Sequence, residues 1–197
     1  ILDKIKMHSS LVGDINNSPR EGELLPETYF FSWGETRDNL IKIMMKSMIG
    51  VLNEEWELKS SNLSIKTKKE AVILASIIEK EAKLKHEKEI ISSVFHNRLK
   101  LGMRLQSDPT VIYGLNKSRK EKKERLKAEE IKIFTKFNTY MINGLPPEPI
   151  CNPGIESIRA ALNPKDTKYL YFVANGKGGH NFSRNYKGHL KNIKIWK

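Results

Sequence analysis

The sequence predicts an α+β fold, with helices in the first half and short strands and a hairpin in the second, built as one domain. Three observations predict it. Apolar residues recur at helical spacing in three stretches between Thr36 and Leu101. The run Lys168–Ala174 (KYLYFVA) has the composition of a strand. Asn175-Gly176 then gives a turn signal, and His180–Ser183 can return as its partner. With 197 residues, one hydrophobic core suffices.

Residues 1–20 are polar and broken by Gly13, Asn16, Asn17 and Pro19, so they read as an N-terminal remnant or linker ahead of a domain over 21–197. From Glu21 to Trp33 the aromatics Tyr29, Phe30, Phe31 and Trp33 suggest loop and short extended structure packed on a core. Thr36 opens a helix, with Leu40, Met44, Met45 and Met48 on one side up to about Trp56. Thr67 with Glu70 three residues on is a capping box, and it starts a helix over about 70–83. A third helix covers about 88–101, with Ile90, Ile91, Val94, Phe95 and Leu99 inward and Gly102 to end it. Residues 103–115 read as extended or looped. The Lys/Glu-rich stretch 116–136 reads as a solvated helix or an insertion. Pro146, Pro147, Pro149 and Pro153 keep 143–154 out of any helix. A short helix follows over 155–162, stopped by Asn163-Pro164, and a terminal helix is expected over 186–196.

Thirty-five Lys and Arg against 23 Asp and Glu give a net charge of +12. Such a surface suits a polyanion, whether nucleic acid, anionic lipid or cell-wall polymer, and equally a solvated face with no partner. The basic run Lys117–Lys127 carries the same two readings. The single cysteine, Cys151, allows no intrachain disulfide, and the five histidines show no ligand spacing, so neither metal nor cofactor is expected. No stretch approaches the roughly 18 apolar residues that span a bilayer.

The chemistry points to Glu79. On a wheel of the 70–83 helix, Ala71, Val72, Leu74, Ala75, Ile78 and Ala82 form one apolar arc. Glu79 falls inside it, between Ala75 and Val72, whereas Glu70 lies off it and Glu81 near its far edge. A carboxyl among apolar groups has its ionised form disfavoured and suits a general acid. The competing reading is a Glu at the rim of the core, paired with Lys or Arg. Asp108 before Pro109 is either a second carboxylate or a turn former. Asn97, Gln106, Tyr113, Asn138, Tyr140 and Asn152 could bind sugar hydroxyl and acetamido groups or satisfy buried backbone. His180 after Gly178-Gly179 matches no phosphate loop and reads as part of the hairpin.

Five stretches taken together resemble one family. LASIIEKEA (74–82), VFHNRLKLGMRLQSDPTVIYGL (94–115), FNTYMINGLPPEPICNPG (137–154), ALNP (161–164) and YLYFVANGKGGHNFS (169–183) resemble the MltG/YceG-like endolytic murein transglycosylases, in the family's order. The family often has Tyr where Phe137 stands. The resemblance implies that Glu79 is the essential glutamate. It further implies cleavage of the β-1,4 bond between N-acetylmuramic acid and N-acetylglucosamine inside a peptidoglycan strand, leaving 1,6-anhydro ends. A bacterial protein is implied, anchored in the cytoplasmic membrane by an N-terminal helix, with its catalytic domain on the extracytoplasmic (periplasmic) side. A LysM-like subdomain would precede that domain, and cell-wall synthases would be neighbours. Anchor and subdomain are expected to lie outside this chain, which begins at Ile1. Two other readings stay open: a lysozyme-like muramidase using Glu79 and Asp108, and a basic nucleic-acid- or polyanion-binding domain. A wall-binding module without activity is a third.

Overall fold

The computed structural model describes residues 1–119 and 121–196. Its elements run α1 (Leu2–Met7), β1 (Leu11–Val12), β2 (Glu35–Thr36), α2 (Arg37–Glu57), α3 (Lys68–Glu81), α4 (Lys88–Lys100), α5 (Asp108–Asn116), α6 (Ile155–Leu162), β3 (Tyr171–Ala174), β4 (His180–Ser183) and α7 (Tyr186–Trp196). Single 3₁₀ turns cover Lys85–Glu87 and Ala128–Lys132. Helices dominate the first half and the longer strands the second, as an α+β fold requires.

The axis of the fold is α3. Thr67 Oγ1 accepts from the Glu70 N–H at 3.1 Å, and the Glu70 carboxylate takes the Thr67 N–H in return, so the capping box starts the helix. Every residue from Ala71 to Ile78 is buried. A helix apolar all round must lie inside, and α3 is packed against α4, α5 and α6. Leu74, Ile77, Ile78, Ile91, Phe95, Phe137, Ile158 and Leu162 form the main core. Phe95 and Phe172 meet edge to face at 5.8 Å, joining the β3–β4 hairpin to it. The hairpin is antiparallel, with Tyr171 opposite Ser183 and Phe172 opposite Phe182.

A second apolar cluster holds Ile5, Leu11, Leu24, Leu40, Ile41 and Met44. Residues 1–20 therefore contribute a helix and a strand where irregular chain was expected. Arg37 at the start of α2 ties them down by donating to the carbonyls of Ile5, Lys6, His8 and Gly13. β1 pairs in parallel with β2, Leu11 beside Glu35. The aromatics of 21–33 divide: Tyr29 and Phe31 are partly buried against this cluster, but Phe30 (95% exposed) and Trp33 (81%) are not packed on a core.

Two further expectations are corrected. Residues 108–116 are helical, not extended. Pro109 stands in the first turn, where its missing N–H costs nothing, and Ser107 enters extended. The basic stretch after Asn116 is not a solvated helix. It is irregular apart from one turn, and it wraps Glu130, which accepts from Arg119 (2.7 Å), Lys123 (3.0 Å) and the Lys127 N–H (2.9 Å). Lys120, within that run, lies outside the described residues.

Truncating Phe95, which is fully buried, to alanine is expected to cost about 3–5 kcal/mol. Urea unfolding of the Phe95→Ala protein checks this, with an unchanged m-value and a lowered midpoint.

Candidate active site

Two carboxyls, Glu79 and Glu81, stand where α3 leaves the core. The side chain of Glu79 is 32% exposed. Its Oε2 accepts from Lys88 Nζ at 2.9 Å, Ser157 Oγ at 2.5 Å and the Gly154 N–H at 3.4 Å. Lys88, itself 12% exposed, also donates to Ser157 Oγ at 2.8 Å. The starts of α4 and α6 therefore converge on one oxygen, and Oε1 carries no hydrogen bond among the described residues. Burial pushes the Glu79 carboxyl up, but the Ser157 and Lys88 hydrogen bonds, the Lys88 charge and the Gly154 N–H hold it below the ordinary carboxylate range. The apolar arc led to the opposite expectation. The correction lies in Lys88 and Ser157, which the helical wheel of α3 cannot show.

Glu79 and Lys80 line a cavity of about 670 Å³ between α1, residues 19–26 and residues 150–152. An adjoining cavity of about 710 Å³ is lined by Lys69, Val72, Lys117, Glu148 and Pro149. Arg20, Glu21 and Tyr113 border both. The Pro-rich segment thus forms a wall beside Glu79. The Ile150 N–H donates to Ser76 Oγ at 3.0 Å, which fixes that wall to α3. Gly22 is pressed against it: its φ is +88°, and a Cβ there would stand 2.6 Å from Pro149 Cγ.

Glu81 faces elsewhere, since two helical positions are about 200° apart. Ser107 Oγ donates to its Oε1 at 2.6 Å. Burial raises the Glu81 carboxyl; the Ser107 bond opposes this, the Asp108 charge adds to it and Arg98 pulls it back, with a net value of about 7. Around it the structure gathers three of the predicted polar residues. Tyr140 donates its hydroxyl to Asp108 Oδ1 at 2.6 Å. Gln106 Oε1 accepts from Arg98 Nη1 at 3.2 Å. Gln106 and Asp108 are exposed and Tyr140 is partly so.

The remaining candidates separate from this cluster. Tyr113 lines both cavities on the Glu79 side. Asn152 borders one of them, but its Oδ1 accepts from the Gly22 and Leu24 N–H groups at 2.8 and 3.0 Å. Asn97 gives its amide to the carbonyls of Thr167 and Tyr169, and buried Asn138 gives its own to Ile131 and Ile133. His180 closes a clasp: its ring Nδ1 lies 2.7 Å from buried Glu87 Oε2, and its N–H donates to Oε1 at 2.8 Å. Gly179 passes so close that a Cβ would lie 2.6 Å from Glu87 Oε1. The clasp sets the residue before Lys88.

Residues 2–195 match the sequence profile of the YceG-like family. The chain belongs to that family. Over 175 residues it is 39% identical to an endolytic murein transglycosylase of Bacillus subtilis, covering 88% of this chain and 47% of that protein. A second family member, the endolytic murein transglycosylase of Streptococcus pneumoniae D39, is 31% identical over 179 residues, or 88% of this chain and 31% of its own. A crystal structure of a yceG-like protein from Listeria monocytogenes superposes with a TM-score of 0.74 at 36% identity, over 95% of this chain and 58% of that one. The chain thus spans less than half of these two transglycosylases.

Opposite pH dependences follow for the two acids. Glu81 holds its proton in the fold up to about 7 but loses it near 4.5 once unfolded. The fold is therefore favoured below that window and loses stability as pH rises through it. Glu79, with its depressed value, contributes stability above the ordinary carboxylate range, lost as pH falls through its folded value. The Glu81→Gln protein should gain melting temperature over the parent at about pH 7, with the gap closing by about pH 4. Melting curves of both proteins across that range check it; a gap independent of pH would contradict it.

Proposed function

We propose that this chain is the catalytic part of an endolytic lytic transglycosylase acting on peptidoglycan, with Glu81 as its general acid and base. The family, and the chain's similarity to two endolytic murein transglycosylases, support the reaction class. The observation that carries the residue is the contrast on α3. Glu81 holds a proton near neutral pH against one hydroxyl donor, whereas Glu79 is kept ionised by Lys88. A general acid must be protonated at its working pH.

In this reading Glu81 gives its proton to the oxygen of the β-1,4 bond between N-acetylmuramic acid and N-acetylglucosamine. As that bond breaks, the muramic acid 6-hydroxyl attacks C1 and its proton passes to the Glu81 carboxylate. The 1,6-anhydro end forms without water, and the acid is regenerated. One carboxylate is enough, whereas glycoside hydrolases ordinarily use two. The Ser107 hydroxyl orients Glu81 Oε1, and Gln106, Asp108 and Tyr140 stand beside it to meet sugar hydroxyl and acetamido groups. Extracytoplasmic action, a membrane anchor and cell-wall synthases as neighbours belong to the same proposal and rest on the family resemblance.

A second reading keeps Glu79 as the acid. It is favoured by the cavity that Glu79 lines with Tyr113 and Asn152 and by its unengaged Oε1. Purified peptidoglycan incubated with the parent, Glu79→Gln and Glu81→Gln proteins separates the two. Mass spectrometry should find internal fragments with anhydro ends from the parent. Glu81→Gln should lose about 10²–10⁴-fold in rate and Glu79→Gln far less. The reverse order would move the acid to Glu79. Reducing ends would assign hydrolysis, with Asp108 as the second carboxylate.

A further inference from the structure

Gln106 is the single non-glycine residue with a left-handed backbone among those described, at φ +53°. A residue with a side chain holds such a conformation only when its surroundings impose it. Here they do. The Gln106 N–H donates to Thr139 O at 3.1 Å, and the next N–H, of Ser107, donates to Thr139 Oγ1 at 2.9 Å. Arg98 Nη1 donates to the carbonyls of Arg104 (3.2 Å) and Leu105 (2.8 Å) on the approach to Gln106. Glycine would carry this backbone without strain. What glycine lacks is the side chain.

That side chain has a defined orientation. Arg98 is 7% exposed, so its guanidinium lies within the fold, and Nε donates to Leu170 O at 2.6 Å. A guanidinium has donors only. The Gln106 atom facing it is therefore the carbonyl Oε1, and the Nε2 amide is directed away from it with two donors to offer. Gln106 is exposed, and its neighbour Ser107 holds the Glu81 carboxyl.

We propose that Arg98 is a positioning residue that turns the Gln106 carboxamide so that its Nε2 donors meet an acceptor oxygen of the saccharide bound beside Glu81. The proposal rests on the Glu81 reading of the site. It makes Gln106 selective in polarity: the position reads an acceptor on the sugar, and a side chain of equal size without donors fails there. The buried guanidinium acts through Gln106 and needs no contact with the glycan.

Binding of the uncharged tetramer of N-acetylglucosamine tests this, by calorimetry on the full chain, in whichever of the Glu79→Gln and Glu81→Gln proteins is inert. Added to that background, Gln106→Glu keeps the acceptor for Arg98 and loses the outward donors. Gln106→Gly suits the left-handed backbone and deletes the side chain. Both should melt no lower than the background protein and weaken Kd by about tenfold or more. Arg98→Lys keeps the charge but not the fork and should weaken Kd likewise. Combined with Gln106→Gly it should add nothing, because the two act as one unit. Unchanged affinity in Gln106→Glu and Gln106→Gly would overturn the proposal, as would additive losses in the Arg98 pair. Turnover of peptidoglycan by the two inert-candidate proteins is scored separately, so a wrong acid and a wrong binding residue give different results.

Discussion

A helix that is apolar on every side has one place to go, and the burial of α3 from Ala71 to Ile78 organises the rest of the molecule. α4, α5 and α6 are laid against it, and the Pro-rich segment is fixed to it through Ser76. Where the burial ends, the side chains at 79, 80 and 81 emerge in three directions within one turn. Two of them are carboxylates. The fold thus presents acids to two surfaces from a single rigid support, whose start is fixed by its capping box and whose far end is gripped by Lys88 and Ser157.

The two surfaces set different protonation states. Lys88 and Ser157 surround one oxygen of Glu79 and favour its charge. Around Glu81 the balance reverses: burial and the Asp108 carboxylate oppose ionisation, and the Ser107 hydroxyl recovers part of the loss. Neighbouring carboxyls with divergent environments are a recurrent way to divide acid, base and structural roles within one site. In the proposed reading the division runs between Glu79, which ties α3 to α4 and α6, and Glu81, whose carboxyl is raised to about 7.

Much of the architecture was legible in local pattern. Thr36, the Thr67–Glu70 box, Gly102, Asn163-Pro164 and Asn175-Gly176 each mark a boundary by chemistry confined to a few neighbours, and the elements lie where these signals put them. α5 was not legible, because Asp108-Pro109 serves a turn and a helix first turn equally well. α1 and β1 depend on Arg37, over twenty residues away, and on an apolar cluster shared with α2. The site was legible in part. Gln106, Asp108 and Tyr140 stood out as polar groups in unusual text and do gather. The surroundings that distinguish Glu79 from Glu81 were not legible, because a wheel compares residues only with their own helix. The environment of Glu81 comes from Ser107 and Asp108, and that of Glu79 from Lys88 and Ser157. Asn97 and Asn138 stood out as readily, and their amides serve backbone carbonyls instead.

The clasp between Glu87 and His180 joins positions 93 apart in the chain, and Ser157 reaches Glu79 across 78. Contacts of such separation close large loops, and their entropy must be met before they contribute anything. The acids' own helix can form from adjacent residues, yet its far end is secured only after α6 and the hairpin have arrived. During synthesis, the groups around Glu79 thus take their places only after α6 has been made, whereas Ser107 and Asp108, which set the surroundings of Glu81, precede it in the chain.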